Sequence, residues 1–490
     1  MLLRGLLVTL ALLLAPSAFA AVATIYIDTG GCESGSTTKC SGTTDSASAS
    51  AKGASSTITC SAVSGVGGAP GCTITGTETA VGQLGSINTD GSQALFVNCA
   101  TNTNQKIFFL TAVDNATGAI STSVTPTGCT AATSDWGIGG RRIFPSGLTD
   151  EAVFTAALRA GDTVQFNNTP ATKTVTYFTP TTSGSAAAGK IKFIGKAGVD
   201  HPVLEISSGD TKSIFALVTE TDILIQNLEL KCVNTSNACV FQGGARITIN
   251  DVKFTGTGAG GIAIKPNGGA WIIMNSQFTS GVLGDAINTA FSQSVLGNYF
   301  NGVGGDCYED TAADPSPLIL NNLFVSCGGR AILLSGASTT GSLPRIFSNT
   351  IYGSGASGLD ATDGQTTVYM ANNIFQENGN AATEFNVKLA TGVSLTLVNY
   401  NNLYFHSNCE GSASSATCVS GFTPNATEVA GSSALFTSAG TDFTLLSTSP
   451  AKAMGFPGQM LGGSVNIGYL DMGSLQRLEP VGSGGRCIGC

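Results

Sequence analysis

Charge is scarce in this sequence. Asp, Glu, Lys and Arg make up 11% of the 490 residues, against roughly a quarter in an average soluble domain. That shortage excludes a long charged helix or coiled coil, which needs Glu- and Lys-rich faces. Basic residues are the scarcer sign, 22 Lys and Arg against 31 Asp and Glu, for a net charge of −9. Such a chain has no electrostatic reason to bind nucleic acid or anionic lipid. There are two histidines, His201 and His406. They lie far apart, which argues against a His-based triad or a histidine metal centre. Apart from the first twenty residues, no stretch approaches a membrane-spanning length of apolar sequence, so no integral membrane segment is expected in the mature chain. General disorder is excluded too, because 42% of residues are hydrophobic. Glycine is in excess, at 64 residues.

Residues 1–20 read as a cleavable export signal. Arg4 supplies the positive charge, Leu6 to Leu14 are almost wholly apolar, and Ala18-Phe19-Ala20 forms a small-residue cleavage site. A secreted or extracellular protein is therefore expected. The fourteen cysteines fall into neighbouring pairs: Cys32/Cys40, Cys60/Cys72, Cys99/Cys129, Cys232/Cys239, Cys307/Cys327, Cys409/Cys418 and Cys487/Cys490. In an exported chain disulfides are the default reading, although spacing alone does not fix connectivity. Zinc is disfavoured. The only C-x-x-C is Cys487-Ile488-Gly489-Cys490, without partner ligands nearby.

A four-residue unit organises the middle of the chain. It begins with Asn, Asp or Gly and ends in Phe, Tyr or Leu. It starts at Asn227, Asp251, Asn275, Gly297, Asn321, Asn349, Asn372 and Asn401, and closes on Leu230, Phe254, Phe278, Phe300, Phe324, Tyr352, Phe375 and Tyr404. Each interval holds two or three short apolar strands between Gly, Asn or Ser turns. That length suits one coil of a parallel β-solenoid and is too short for a propeller blade. Asn, Asp and Gly tolerate left-handed backbone angles, so they suit a turn repeated on every coil, and stacked Asn side chains can form a hydrogen-bonded ladder. The aromatic position is expected to stack inside the coil. Both columns read as scaffold.

Upstream, residues from Thr149 to Arg159 carry the pattern of a capped amphipathic helix, with Thr149 or Asp150 as N-cap and Gly161 as C-cap. A strand follows from Thr163. A short helix running into Gly161-Asp162-Thr163-Val164 resembles the N-terminal end of the secreted right-handed parallel β-helix proteins, the pectate-lyase-like superfamily. Ala434-Leu435-Phe436, Asp442-Phe443-Thr444-Leu445, Ser449-Pro450-Ala451 and Asp471-Met472-Gly473-Ser474 resemble that family's closing segment. The resemblance, covering about residues 146 to 480, implies an all-β, right-handed parallel β-helix with an N-terminal capping helix and a small disulfide-rich β domain before it. The expected organisation is a signal peptide at 1–20 and a Ser/Thr/Gly-rich β domain or cap at 21–145. The parallel β-helix then occupies 146–405 and a C-terminal closing segment 406–490.

Gly-centred turns align Gly284-Asp285-Ala286-Ile287, Gly305-Asp306-Cys307-Tyr308 and Gly329-Arg330-Ala331-Ile332. Asp285, Asp306 and Arg330 thus take equivalent places on successive coils, stacked at roughly 5 Å per coil. Two carboxylates beside a guanidinium could act as an acid/base pair, or hold calcium while Arg330 steers an anionic sugar. These three are the candidate catalytic residues. Asp306, Glu309 and Asp310 are the candidate calcium ligands, and Tyr299, Tyr308 and Glu309 the candidate substrate contacts. The bland alternative is that the Asp residues are turn formers and Arg330 only pairs with Asp306. If Ile287, Tyr308 and Ile332 point inward, the outward column is Asn288, Glu309 and Leu333 instead. Asp360 and Asp363 form a weaker candidate, read as loop.

The family's polygalacturonase-like motifs are not reproduced. Asn88-Thr89-Asp90 lies outside the repeats, no Asp-Asp occurs, and neither histidine is flanked by glycines. The pectate-lyase-like scheme of calcium carboxylates with an arginine base has a loose analogue in Asp285, Asp306 and Arg330. The leading expectation is a secreted β-helix protein that binds extracellular or cell-surface polysaccharide. The alternatives are a polysaccharide lyase or glycoside hydrolase using the carboxylate/arginine column, and a tailspike-like receptor-binding protein. Whether the chain is an enzyme stays open at this point.

Overall fold

The structure is a computed structural model. It describes residues 21–27, 43, 51–52, 57–75, 87–90, 92–97, 107–114, 116–126, 129–131, 136–138, 158–167, 178–198, 200–206, 213–233, 238–257, 261–312, 316–336, 343–361, 367–379, 383–389, 396–407, 417–452 and 472–474. The export signal, the expected helix from Thr149, Asp363, and Cys32, Cys40, Cys99, Cys409, Cys487 and Cys490 lie outside the described residues. Among those described, the one helical turn is Val66–Gly68. None is a helix long and apolar enough to cross a membrane.

Two compact units divide the chain. One comprises 1–143, 159–164 and 184–190, and the other the remainder. The first carries an eight-stranded antiparallel sheet. Its core gathers Ile58, Leu95, Val97, Phe108, Leu110, Ile120, Trp136 and Ile138, and Cys60–Cys72 ties the hairpin Thr57–Ser61/Gly71–Thr75. Buried Asp162 accepts hydrogen bonds from the Ala23 and Arg159 backbone N–H groups, and the Arg159 guanidinium lies over the Phe109 ring.

The second unit is a parallel β-helix. Each middle coil contributes three short strands, as in Ile287–Thr289, Ser294–Leu296 and Tyr299–Asn301. The first strand of each coil stacks into a nine-stranded parallel sheet from Phe215–Leu217 to Val419–Ser420. Alternation sets the interior. Ile249, Ile273, Val295, Ile319 and Ile346 stack as one fully buried column, and Phe254, Phe278, Phe300 and Phe324 as another. Those rings are parallel, with centroids 4.8, 4.6 and 4.6 Å apart. That separation is close to the strand spacing, so the stack follows from register.

The four-residue unit divides its labour differently from the sequence expectation. The first position is the corner: Asn227, Asp251, Asn275, Asn321, Asn372 and Asn401 all have φ between 51° and 61°, and Gly297 is at 63°. The hydrogen-bonded ladder belongs to the second position, where Asn298, Asn322, Asn349, Asn373 and Asn402 are buried. From Asn322 to Asn402 each Oδ1 accepts from the backbone N–H and Nδ2 of the asparagine one coil before, and Asn298 Oδ1 accepts the Ser276 backbone N–H. The sixth unit is therefore shifted by one residue. Ser348 (φ 53°) is its corner, Asn349 belongs to the ladder, and Ile351, paired with Phe324 and Phe375, fills the aromatic column. Tyr352 instead packs edge-on against Phe443 of the closing segment. That segment forms the hairpin Phe436–Ser438/Asp442–Leu445, and Ala434, Ala451 and Met472 join Val325, Ile374 and Leu403 in a terminal apolar cluster. Cys232–Cys239 and Cys307–Cys327 are disulfides within the β-helix.

Candidate functional site

Register brings the candidate residues onto one wall. Ile287 pairs with Tyr308, Tyr308 with Ile332, Ile332 with Leu359, and Leu359 with Val387. All five are fully buried, so this column points inward. The next residue on each strand faces outward, giving Asn288, Glu309, Leu333, Asp360 and Lys388 on successive coils. Two residues before the inward column lie Asp285, Asp306 and Arg330, at the turn entering the sheet. The two facings considered from sequence are both real, and the turn column and the strand column converge.

The Gly-Asp repeat has a packing cause. Asp285 Oδ1 accepts the Asp306 backbone N–H at 2.9 Å, and Asp306 Oδ1 accepts the Arg330 backbone N–H at 2.5 Å. Each carboxylate thus caps the following coil. A Cβ on Gly305 would collide with Asp285 Oδ1, and one on Gly329 with Asp306 Oδ1. Glycine precedes Asp306 and Arg330 because the preceding carboxylate occupies that space.

Asn288 ties the two columns, its Nδ2 donating to Asp285 Oδ2 at 3.0 Å and also to Glu309 Oε2. Oxygens of Asp285, Asp306 and Glu309 lie within 4.8 Å of one another. Crowding and burial act on these groups together. Burial, then the charges of Asp285 and Asp306, push the Glu309 carboxyl up to about 7. Asp306 is also raised, by burial against the opposing effect of the Arg330 N–H and guanidinium. Arg330 donates through Nε to Asp360 Oδ2 at 3.2 Å and through Nη1 to Asp306 Oδ2 at 3.4 Å. Burial works against the charged guanidinium, yet Asp306 and Asp360 hold its pKa above the ordinary value. Lys388 Nζ approaches the same Asp360 oxygen at 3.5 Å.

The donor set fits a hard divalent cation. Carboxylate oxygens bind Ca²⁺ at 2.3–2.6 Å, so two oxygens on one ion lie at most about 5 Å apart. The 4.8 Å grouping satisfies that limit, and a cation would offset both the burial and the mutual repulsion that raise Glu309 and Asp306. Asp285, Asp306 and Glu309 would hold it.

Three expectations are corrected. Tyr308 is fully buried and donates to Asp310 Oδ2 at 3.1 Å inside the coil, so it offers no face to a sugar. Asp310 is buried on the same inward side, where burial pushes it up to about 6, and it is absent from the carboxylate cluster. The inward facing of Tyr308 dictates this, since residues two apart on a strand share a face. Tyr299 lies on a different sheet and packs against the terminal apolar cluster. Sequence reasoning allowed Asp285 and Asp306 to hold calcium but named Asp306, Glu309 and Asp310 as the ligand set, and it read Asp360 as loop. The latter is the middle of the strand Leu359–Ala361, and Lys388 went unremarked. Extending the Ile287–Tyr308–Ile332 alignment by two coils would have found both.

A family model described as "Right handed beta helix region" matches residues 232–410. No curated protein sequence matches the chain. Among solved structures, the chain is similar to the A-module of mannuronan C-5 epimerase AlgE4 from Azotobacter vinelandii. Identity is 14%, coverage 55% of this chain and 88% of that one, and the TM-score 0.34. It is also similar to pectate lyase Pel9A, at 13% identity, 66% and 90% coverage and TM-score 0.38.

Proposed function

We propose that this right-handed parallel β-helix protein binds an anionic polysaccharide along its nine-stranded wall, through a calcium ion held by Asp285, Asp306 and Glu309. The observation that carries the reading is the grouping of three carboxylates within 4.8 Å, beside an arginine that reaches across neighbouring coils. An ion there supplies a positive charge for an acidic sugar group, and Arg330 presents a second cation one coil along. The nine-stranded parallel wall suits an extended polymer. An extracellular location follows from the same reading, because the export signal, the disulfides and a polysaccharide ligand belong together.

A second reading is favoured by Glu309. A carboxyl near 7 is poised to give and take protons at neutral pH, which is what a lyase or hydrolase on this wall would need. Depolymerisation of pectate, alginate and neutral glycans, with calcium and with chelator, separates the two. Binding without chain shortening supports the binding reading. Chain shortening that disappears in Asp306→Ala and Arg330→Ala establishes the enzyme, and shortening unchanged in both variants removes this wall as its site.

A further inference from the structure

Asp360 is the most deeply buried acid on the outward side of the wall, with its side chain 3% exposed. Its Oδ2 receives Arg330 Nε from one coil before and faces Lys388 Nζ from one coil after. Its Oδ1 is buried and has no hydrogen-bond partner among the described residues. A carboxylate hidden from water on the outer face of a sheet is costly unless paired. Here the pairing comes only from two cationic side chains, which remain 34% and 31% exposed. Asp360 balances one of these two cations, and Arg330 is also partnered by Asp306.

The position of Arg330 makes this arrangement consequential. Its backbone N–H already binds Asp306, and without a second anion its guanidinium would fold back fully onto the same carboxylate. That would neutralise one of the three acids grouped for a cation. Asp360 pulls Nε the other way, leaving Nη1 at a long 3.4 Å from Asp306. Leu333, 8% exposed, stands between Glu309 and Asp360 in the outward column, while Arg330 links Asp306 of the acidic trio to Asp360.

We propose that Asp360 is the positioning residue of this wall. It holds Arg330 and Lys388 as paired cationic arms that grip an acidic group of the glycan, beside the carboxylates that take the cation. The proposal rests on the polysaccharide reading above and adds a ligand preference. Glu309 and Lys388 are three coils apart, roughly 14 Å at the inter-strand spacing, so the ligand is an anionic oligomer and not a single sugar.

The test uses the full chain and two separate titrations, calcium alone and then pectate or alginate oligomers at saturating calcium. Asp360→Asn keeps the shape and removes the charge. Its calcium affinity is expected to fall about threefold, as the released guanidinium turns onto Asp306, while oligomer affinity at saturating calcium falls about tenfold, the loss of one charge-assisted contact. Asp360→Glu restores part of that loss. Lys388→Met, which alters only a half-exposed arm, weakens oligomer binding about threefold and flattens its salt dependence. Adding Arg330→Met to Asp360→Asn costs nothing further, because the two act as a unit. Wild-type oligomer affinity in both Asp360→Asn and Lys388→Met would overturn the positioning role alone. Calcium uptake by wild type without binding of any acidic oligomer would overturn the polysaccharide reading, and this proposal with it.

Discussion

Replacing Glu309 with Gln changes the pH dependence of stability in a defined direction. The Glu309 carboxyl rises from an ordinary 4.5 to about 7 on folding, so the native state binds its proton more tightly than the unfolded chain does. Its stabilising contribution is therefore fully present below pH 4.5 and is lost as pH climbs through 7. At 1.36 kcal/mol per pH unit the interval corresponds to ~3 kcal/mol. Glu309 is only half-buried, and solvent screening reduces the figure to ~1–2 kcal/mol. Gln preserves the Asn288 contact through its own carbonyl and removes the titration. Between pH 4.5 and 8, wild type should lose ~1–2 kcal/mol relative to Glu309→Gln. Calcium should reverse the loss at pH 8, supplying about 2.7 kcal/mol at a hundredfold excess over Kd. At pH 5 it should do little, because protons compete for the same oxygens. Denaturant unfolding of both proteins across this range, with and without calcium, measures each quantity. Parallel pH curves for the two proteins, or equal stabilisation of both by calcium, would refute the electrostatics assigned to this cluster.

Two scaffold predictions follow from the same coils. Asn349→Ala removes the acceptor used by the Asn322 backbone N–H and Nδ2, leaving the backbone N–H unpaired and Nδ2 with Val295 O alone, and should destabilise by ~1–4 kcal/mol in denaturant unfolding. A cost below 1 kcal/mol would mean the ladder contributes little. Gly329→Ala sets a Cβ against Asp306 Oδ1, so it should weaken calcium binding about tenfold by displacing one ligand and cost ~1–3 kcal/mol by overpacking. Gly269→Ala, where a Cβ meets nothing within 4 Å, should leave both quantities near wild type.

The coil was legible because its two demands leave marks on composition. A corner with positive φ admits few residues besides Asn, Asp and Gly, and an interior column stacked in register accepts the same aromatic coil after coil. Where a coil substitutes Ser348 for asparagine at the corner and Ile351 for phenylalanine within, both marks fade, and the unit slips by one residue. The same slip misplaced the ladder, since the buried asparagines are neighbours of the corner residues and share their identity in most coils. At the site, Asp285, Asp306 and Arg330 were legible through the glycine before each of them. Asp310 and Tyr308 were misread because facing on a three-residue strand turns on one position of register, and either choice left an acid outside. Asp360 and Lys388 carry no flanking glycine, so only register exposes them.

The central claim is that three carboxylates and an arginine on one wall form a calcium-dependent site for an acidic polysaccharide. Calorimetric titration of pectate and alginate into the full chain, first with calcium and then after chelation, tests it most directly. The expected result is saturable binding with calcium, loss of at least tenfold in affinity without it, and no binding in Asp306→Ala, in keeping with a metal-bridged contact. Equal affinity with and without calcium, or undiminished binding by Asp306→Ala, would contradict it.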